Sequence, residues 1–299
     1  MKQFLILSVT LIASAALVFT SGPLRGRPTA AGDLLTMRGA APLVSEPKPP
    51  RQDVVLTVDG KRYKGETRLV DDGTTYVLAA DFLAAVDLPP CVTADGDGTV
   101  RLDADGLTLT ANPDDLYVVA NGRYLWCPLG VFTEDGSLWL PLRPLAAAAG
   151  CTVEWDDGTE TAAVSSGGGT LPSGDGYYDE DDVFWLSRII NAEAGGECFL
   201  GKVAVGNVVL NRTRSREFPG TIYEVIFDIR FGVQFSPIKS GSIYKTPNED
   251  SVVAAKLCLD GAVINDEMLY FYNPKKSKST WMREKCTFVA SIGNHDFFS

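Results

Sequence analysis

The stretch "SSGGGTLPSGDG", residues 165–176, is the strongest constraint on what this chain can build. It has neither the 3.6-residue nor the two-residue apolar period, so it belongs to no helix or strand of a core. On its N-terminal side lie short apolar alternations broken by turn residues. On its C-terminal side lie longer runs with helical spacing. Charge divides at the same place. Residues 181–299 hold 14 Lys+Arg and 14 Asp+Glu, whereas the first 180 hold 13 and 24 and carry the whole net charge of -11. A chain of 299 residues divided in this way reads as two folded modules, with a Gly/Ser linker at 167–178 between them. Neither half carries a basic patch, so a nucleic-acid partner has no electrostatic support.

The N-terminus is of another kind. "MKQFLILSVTLIASAALVFTSG" places Lys2 before an apolar run from Phe4 to Thr20. Residues 1–21 therefore read as an export signal, either cleaved or kept as a membrane anchor, since the run reaches the lower edge of the roughly 17–25 residues that span a bilayer. Residues 22–52, rich in Pro, Gly and Ala, form a linker leaving that segment. The expected location is outside the cytoplasm. The six cysteines include no CxxC pair and fall three to each half. Disulfides and buried free thiols both fit that count. The single histidine, His295, and the absence of HExxH argue against a zinc amidase or zinc peptidase site. No metal or other cofactor is expected.

Residues 53–166 contain a repeat. Val58-Asp59-Gly60 and Ala120-Asn121-Gly122 stand 62 residues apart, as do "YVLAADFLAAV" at 76–86 and "LWLPLRPLAAA" at 138–148. Each copy reads as a hairpin on an Asp-Gly or Asn-Gly turn, then a strand, a short Ala/Leu-rich helix and a strand pair. "WLPLRPLAAAAGCTVEWDDGTETAAV" resembles the repeat domain named after the N-terminal domain of copper amine oxidases. The first copy departs from it at Ala79-Ala80-Asp81, where Pro-Leu-Arg is expected. No copper ligands are implied. The resemblance is compatible with a wall-binding module and with a structural spacer.

Residues 179–299 form the second module. "DEDDVFWLSRIINAEA" opens on four acids, which suit the positive end of a helix dipole. Val183, Leu186, Ile190 and Glu193 are spaced along one helical face, so Glu193 lies on the apolar stripe. Gly195-Gly196 then ends the helix. A carboxyl in that position is either a helix-end glutamate reaching solvent or a desolvated acid with a raised pKa, suited to general acid chemistry. Glu197, beyond the break, reads as a loop residue or cap. In the next helix, Leu200, Val203, Ala204 and Val208 form the expected buried face, with Arg212 and Arg214 near the C-terminal end, where cations are favourable.

"LSRIINAEAGGECFLGKVAVGNVVLNRTRSREFPGTIYEVI", "QFSP" at 234–237, "YFYNP" at 270–274 and "IGNHDFF" at 292–298 together resemble the catalytic domain of spore-cortex lytic enzymes, the SleB/CwlJ-type cell wall hydrolases. The resemblance spans about residues 181–298. It implies a lysozyme-like, mainly helical catalytic domain, so that the whole chain is α+β. It implies peptidoglycan as substrate and one catalytic glutamate, which is Glu193 here. Relatives commonly carry Arg where this chain has Gly195, which implies altered substrate contacts. It also implies lytic transglycosylation, in which the sugar's own 6-hydroxyl attacks and no second acid is needed. A hydrolase would want one, and Asp228, Glu224 and Asp250 qualify by type alone.

Gln234, Ser236, Tyr270, Tyr272 and Asn273 are expected to bind sugar by hydrogen bonds or stacking, with Trp281 as a flat stacking surface. Strand alternation puts Tyr270 and Tyr272 on one face, with Phe235 and Phe271 packing inward. His295 is expected to be structural, bonded to backbone. Two other readings compete: a Cys–His peptidase on wall stem peptides, using Cys198 and His295, and a non-catalytic wall-binding sporulation protein.

Overall fold

The computed structural model describes residues 54–70, 73–230, 232–277 and 281–299. The expected export segment at 1–21 and the linker at 22–52 lie outside the described residues. None of the described helices is long and apolar enough to cross a membrane.

The first module is built from the two copies. One copy runs β1 Val55–Val58, β2 Lys61–Arg62, β3 Thr67–Leu69, β4 Thr75–Leu78, α1 Ala79–Ala85, β5 Cys91–Ala94, β6 Val100–Ala104 and β7 Leu107–Ala111. The other runs β8 Tyr117–Ala120, β9 Arg123–Trp126, β10 Phe132–Glu134, β11 Ser137–Pro141, α2 Leu142–Ala148, β12 Thr152–Asp156 and β13 Thr161–Ser165. Asp59-Gly60 closes β1–β2 and Asn121-Gly122 closes β8–β9, with φ of 48° and 73°, then 50° and 80°. Positive φ at both central residues is the turn that matches strand twist, and Asn or Asp before Gly tolerates it best. The unusual Ala79-Ala80-Asp81 still begins a helix.

The copies do not fold side by side. The closing strands of the first continue into the opening hairpin of the second, in the order β5-β6-β7-β8-β9. The closing strands of the second take up the opening hairpin of the first, in the order β12-β13-β1-β2, with β13 parallel to β1. A third sheet, β10-β11-β4-β3, joins both copies at its centre. One apolar core therefore runs from Val54 to Val164, and each copy needs the other to complete its sheets.

The second module is mainly helical. It contains α3 Glu180–Ala194, α4 Phe199–Arg214, α5 Ile222–Ile226, α6 Ser236–Ser240, a 3-10 turn at Ser242–Tyr244 and α7 Glu249–Leu259. A small antiparallel sheet, β14-β16-β15, follows from β14 Tyr270–Tyr272, β15 Phe288–Ile292 and β16 His295–Phe298, with the short helix α8 Trp281–Lys285 between β14 and β15. The α+β reading describes the molecule. Asp179 caps α3 by accepting from the Asp182 amide at 3.0 Å, with Glu180, Asp181 and Asp182 in the first turn.

Helix α4 differs from its expected form. The sequence suggests one buried face, but every residue from Leu200 to Arg212 is buried. Helices α3 and α7 both pack on it. Gly206 permits the close approach, since a Cβ there would lie 2.6 Å from the Cys258 sulfur. Polar side chains on α4 are used internally: Asn207 donates to Ala262 O at 2.7 Å, and Asn211 donates to Met268 O at 2.9 Å. Arg212 therefore lies inside the protein instead of at a solvated helix end.

The segment at 167–178 also differs from a bare spacer. Leu171 N donates to Ala148 O at 3.0 Å, and Gly174 N donates to Asn121 O at 2.7 Å, which strap it along the first module. Beyond it, the modules touch. Asp260, after α7, has a side chain only 1% exposed. It accepts from Arg123 Nε at 2.8 Å, the Tyr124 amide at 2.9 Å and the Tyr178 hydroxyl. Tyr117 packs on Phe199 beside it, with ring centres 5.8 Å apart.

All six cysteines are free thiols, with Cys127, Cys151 and Cys258 buried. Burial pushes the Cys258 thiol up to about 12 and also raises that of Cys127. These three act as small apolar groups.

Candidate active site

The last turn of α3 carries Glu193, and the helix stops two residues later. Gly195 is the C-cap, its amide bonded to Asn191 O at 2.9 Å, and the Glu197 amide turns back to Ala194 O at 2.9 Å. Leu186 and Ile190, on the same stripe, are fully buried. The stripe therefore carries the Glu193 carboxyl to the wall of a cleft of about 1200 Å³. Burial raises its pKa from 4.5 to about 7, against the opposing pull of Lys276 and Arg212. Near neutral pH such an acid is present in both protonation states, as a proton donor and acceptor requires.

Gln234, Ser236, Tyr270, Tyr272, Asn273 and Trp281 all line the same cleft as Glu193. The alternation of β14 holds. Tyr270 meets Trp281 edge-on at 5.9 Å and Tyr272 stacks on Phe298 at 5.7 Å, while Phe271 points the other way, towards Phe235, His295 and Phe297. Phe235 is buried, as expected; Phe271 is half-buried and also borders the cleft. Gln234 Nε2 donates to Gly232 O at 3.0 Å. Asn273 Oδ1 accepts from the Lys275 amide at 2.9 Å, which shapes the turn that presents Lys276. Trp281 stands at the rim, 51% exposed.

Three acids are candidates for a second carboxylate, and the fold separates them. Asp228 lines the cleft. It accepts from Arg230 Nε at 3.0 Å and Nη2 at 2.8 Å, and these bonds hold its carboxyl below the usual range. Glu224 is occupied at the start of α5, accepting from Thr221 Oγ1 at 3.0 Å. Asp250 pairs with Lys202 at 3.3 Å. Neither Glu224 nor Asp250 lines the cleft.

Glu197 has a structural role. Its carboxylate accepts from the Asn294 amide at 2.9 Å and from Asn294 Nδ2 at 3.2 Å, tying the β15–β16 turn to the α3–α4 loop. Gly293 in that turn has φ +60°, and a Cβ there would lie 2.6 Å from Glu197 Oε2. Glycine is therefore required twice over at this position.

His295 departs from its expected backbone bond. It is buried in the cleft wall and its Nδ1 has no hydrogen-bond partner. Burial lowers its pKa, leaving the imidazole neutral near neutral pH. No hydrogen bond joins it to Cys198, which is exposed and does not line the cleft. A Cys–His dyad is therefore absent among the described residues.

Sequence reasoning missed Arg212, Glu217, Phe218 and Lys276 as cleft residues. For Arg212 one signal was present: the apolar residues of α4 occupy more than one face of the helix, so a cation at its end has little solvent to reach. The others sit in irregular segments where no period points to a face.

Comparison with known proteins places both modules. Residues 196–298 match the family model described as Cell Wall Hydrolase, and residues 57–164 match that of the Copper amine oxidase N-terminal domain. The first match begins three residues beyond Glu193. A spore cortex-lytic enzyme of Bacillus cereus is 35% identical over 130 residues, which are 44% of this chain and 48% of that protein. The spore cortex-lytic enzyme of Bacillus subtilis is 33% identical over 122 residues, 41% of this chain and 39% of that protein. This chain thus spans about half or less of the length of those relatives. The solved catalytic domain of the germination-specific lytic transglycosylase SleB from Bacillus anthracis is 34% identical and is covered in full by 43% of this chain, with a TM-score of 0.38.

Proposed function

Because the C-terminal module of this chain belongs to the cell wall hydrolase family, we propose that the protein is an exported enzyme that cleaves peptidoglycan glycan strands as a lytic transglycosylase with Glu193 as its one acid/base group. The observation that carries this reading is a carboxyl at a helix end, in a cleft wall, with a pKa raised to about 7 by burial. The named relatives are spore cortex-lytic enzymes, so cortex or cell wall peptidoglycan is the proposed substrate, in germination or wall remodelling.

Protonated Glu193 donates to the glycosidic oxygen, and the C1–O bond breaks as the leaving sugar departs with that proton. Positive charge develops at the ring carbon. The 6-hydroxyl of the same sugar attacks it, and the Glu193 carboxylate takes the hydroxyl proton. The products are a 1,6-anhydro end and a free hydroxyl on the leaving strand, with Glu193 protonated again. Gln234, Ser236 and Asn273 supply hydrogen bonds to the sugars, Tyr270 and Tyr272 line the wall, and Trp281 stacks on a ring at the rim. The first module is proposed to act as a fixed spacer or wall-contact module, and the segment at 1–21 to direct export, as a signal or as a tether.

Asp228 in the same cleft favours one second reading, a muramidase in which Asp228 serves the attacking water. Incubation with purified cortex and mass spectrometry of the muropeptides separates the outcomes. Anhydro ends support the transglycosylase, and reducing ends the muramidase. Free stem peptides, or no products at all, refute glycan cleavage.

A further inference from the structure

Arg212 stands in the last turn of α4 and is 5% exposed. Its Nε donates to Leu269 O at 2.7 Å. Its guanidinium carbon lies 4.8 Å from the ring centre of Phe218, 5.1 Å from Phe235 and 5.5 Å from Tyr270. Nη1 is buried without a hydrogen-bond partner, and no ion pair holds the side chain among the described residues. A cation buried without a counter-charge is costly unless a partner charge is supplied. Glu193 lines the same cleft, and Tyr270, Asp228 and then Glu193 are the titratable groups that act on Arg212. Burial raises the Tyr270 hydroxyl above its ordinary range, so it stays neutral and supplies no counter-charge. Asp228 is already engaged by Arg230. Glu193 is left, and in the proposed cycle it alternates between neutral acid and anion.

We propose that Arg212 is a positioning residue for the proton donor, its buried unpaired guanidinium stabilising the Glu193 carboxylate that remains once the proton has moved to the glycosidic oxygen; this rests on the reading of Glu193 as the general acid. The charge balance closes. Before transfer a cation and a neutral acid share the cleft wall. After transfer a cation and an anion share it, and the partial burial of both strengthens their attraction relative to bulk water. When the attacking hydroxyl returns a proton, the starting state is restored. Burial lowers the pKa of Arg212, but only to about 10, so the guanidinium stays charged throughout. Aromatic rings on three sides keep it facing the cleft. The other charged or titratable groups of the wall are Lys276, which also faces Glu193, together with Glu217 and His295.

The test compares the wild type with Arg212→Gln and Arg212→Lys in the full chain, by steady-state cleavage of soluble glycan strands across pH and by carbon NMR titration of the Glu193 carboxyl. Activity needs protonated Glu193, so it falls as pH rises through that group's pKa. Without the cation the carboxylate is less stable. Arg212→Gln should therefore move the basic limb of the profile to higher pH, while kcat drops about tenfold to a hundredfold and KM stays within about twofold. Arg212→Lys should restore the position of the limb and part of kcat. A folded Arg212→Gln with an unmoved limb and an unmoved Glu193 titration overturns the proposal. So does a folded Arg212→Lys that moves the limb upward as a neutral side chain would, and this arm decides the matter if Arg212→Gln does not fold. Failure of the underlying reading looks different: Glu193→Gln would then retain activity.

Discussion

Replacing Glu193 with Gln should abolish cleavage and yet make the protein more stable at alkaline pH. The pKa of Glu193 is about 7 in the fold, against 4.5 for an unperturbed glutamate, and burial is the largest cause. Between those two values the folded state binds more protons than the unfolded state, so stability falls as pH rises from 4.5 to about 7 and stays lower above it. A tenfold change in proton affinity corresponds to about 1.4 kcal/mol, so ionising the buried carboxyl lowers stability by about 3 kcal/mol at pH 8. Glutamine has nearly the same shape and no charge. Glu193→Gln should match the wild type at pH 4 and exceed it at pH 8 by as much as about 3 kcal/mol, or about 5 °C in Tm for a chain of this size. The assay is thermal unfolding of both proteins at half-unit steps from pH 4 to 9, beside muropeptide analysis of cortex digests at each pH. A stability difference that does not change with pH would refute the burial argument. Retained anhydro-muropeptide production by Glu193→Gln would refute the assignment of the acid. Loss of activity with no gain in alkaline stability would show that Glu193 is catalytic but not desolvated in the free protein.

The remaining predictions concern what holds the site and the modules. Asp260→Ala leaves Arg123, the Tyr124 amide and the Tyr178 hydroxyl without their shared acceptor, so it should lower stability by about 3 kcal/mol and speed limited proteolysis at 167–178; unchanged cleavage kinetics would show that the modules do not depend on this contact. Glu197→Ala frees the Asn294 turn and should lower Tm by an amount equivalent to about 1–3 kcal/mol, with a smaller loss of kcat than Glu193→Gln; equal losses would mean that Glu197 takes part in the chemistry. Trp281→Ala removes the exposed stacking face at the rim and should raise KM for glycan strands about tenfold with little effect on Tm, which steady-state kinetics and calorimetry together would check.

Much of the site was legible because it follows from local periods. The 3.6-residue spacing of Leu186, Ile190 and Glu193 places the carboxyl on the buried stripe, and Gly195-Gly196 ends the helix there. The two-residue period of β14 groups Tyr270 with Tyr272 and turns Phe271 away. The Asp59-Gly60 and Asn121-Gly122 turns follow from positive φ, a requirement confined to two residues, and the repeat at an offset of 62 follows from sequence identity between the copies.

Other features depend on segments far apart in the chain, and no period within either segment records them. Strand β13 pairs with β1 across the whole first module, so the interlocking of the copies appears only when the sheets close. Glu197 meets Asn294 97 residues later, and Asp260 meets Arg123 137 residues earlier. Arg212 is the sharpest case. Its position at a helix end suggests a solvated cation, and local rules favour that placement. Packing of α3, α5 and α7 on α4, with the loop at 262–268 accepting from Asn207 and Asn211, decided otherwise. Apolar residues on more than one face of α4 are compatible with burial, but the neighbours that enclose the helix end come from distant segments.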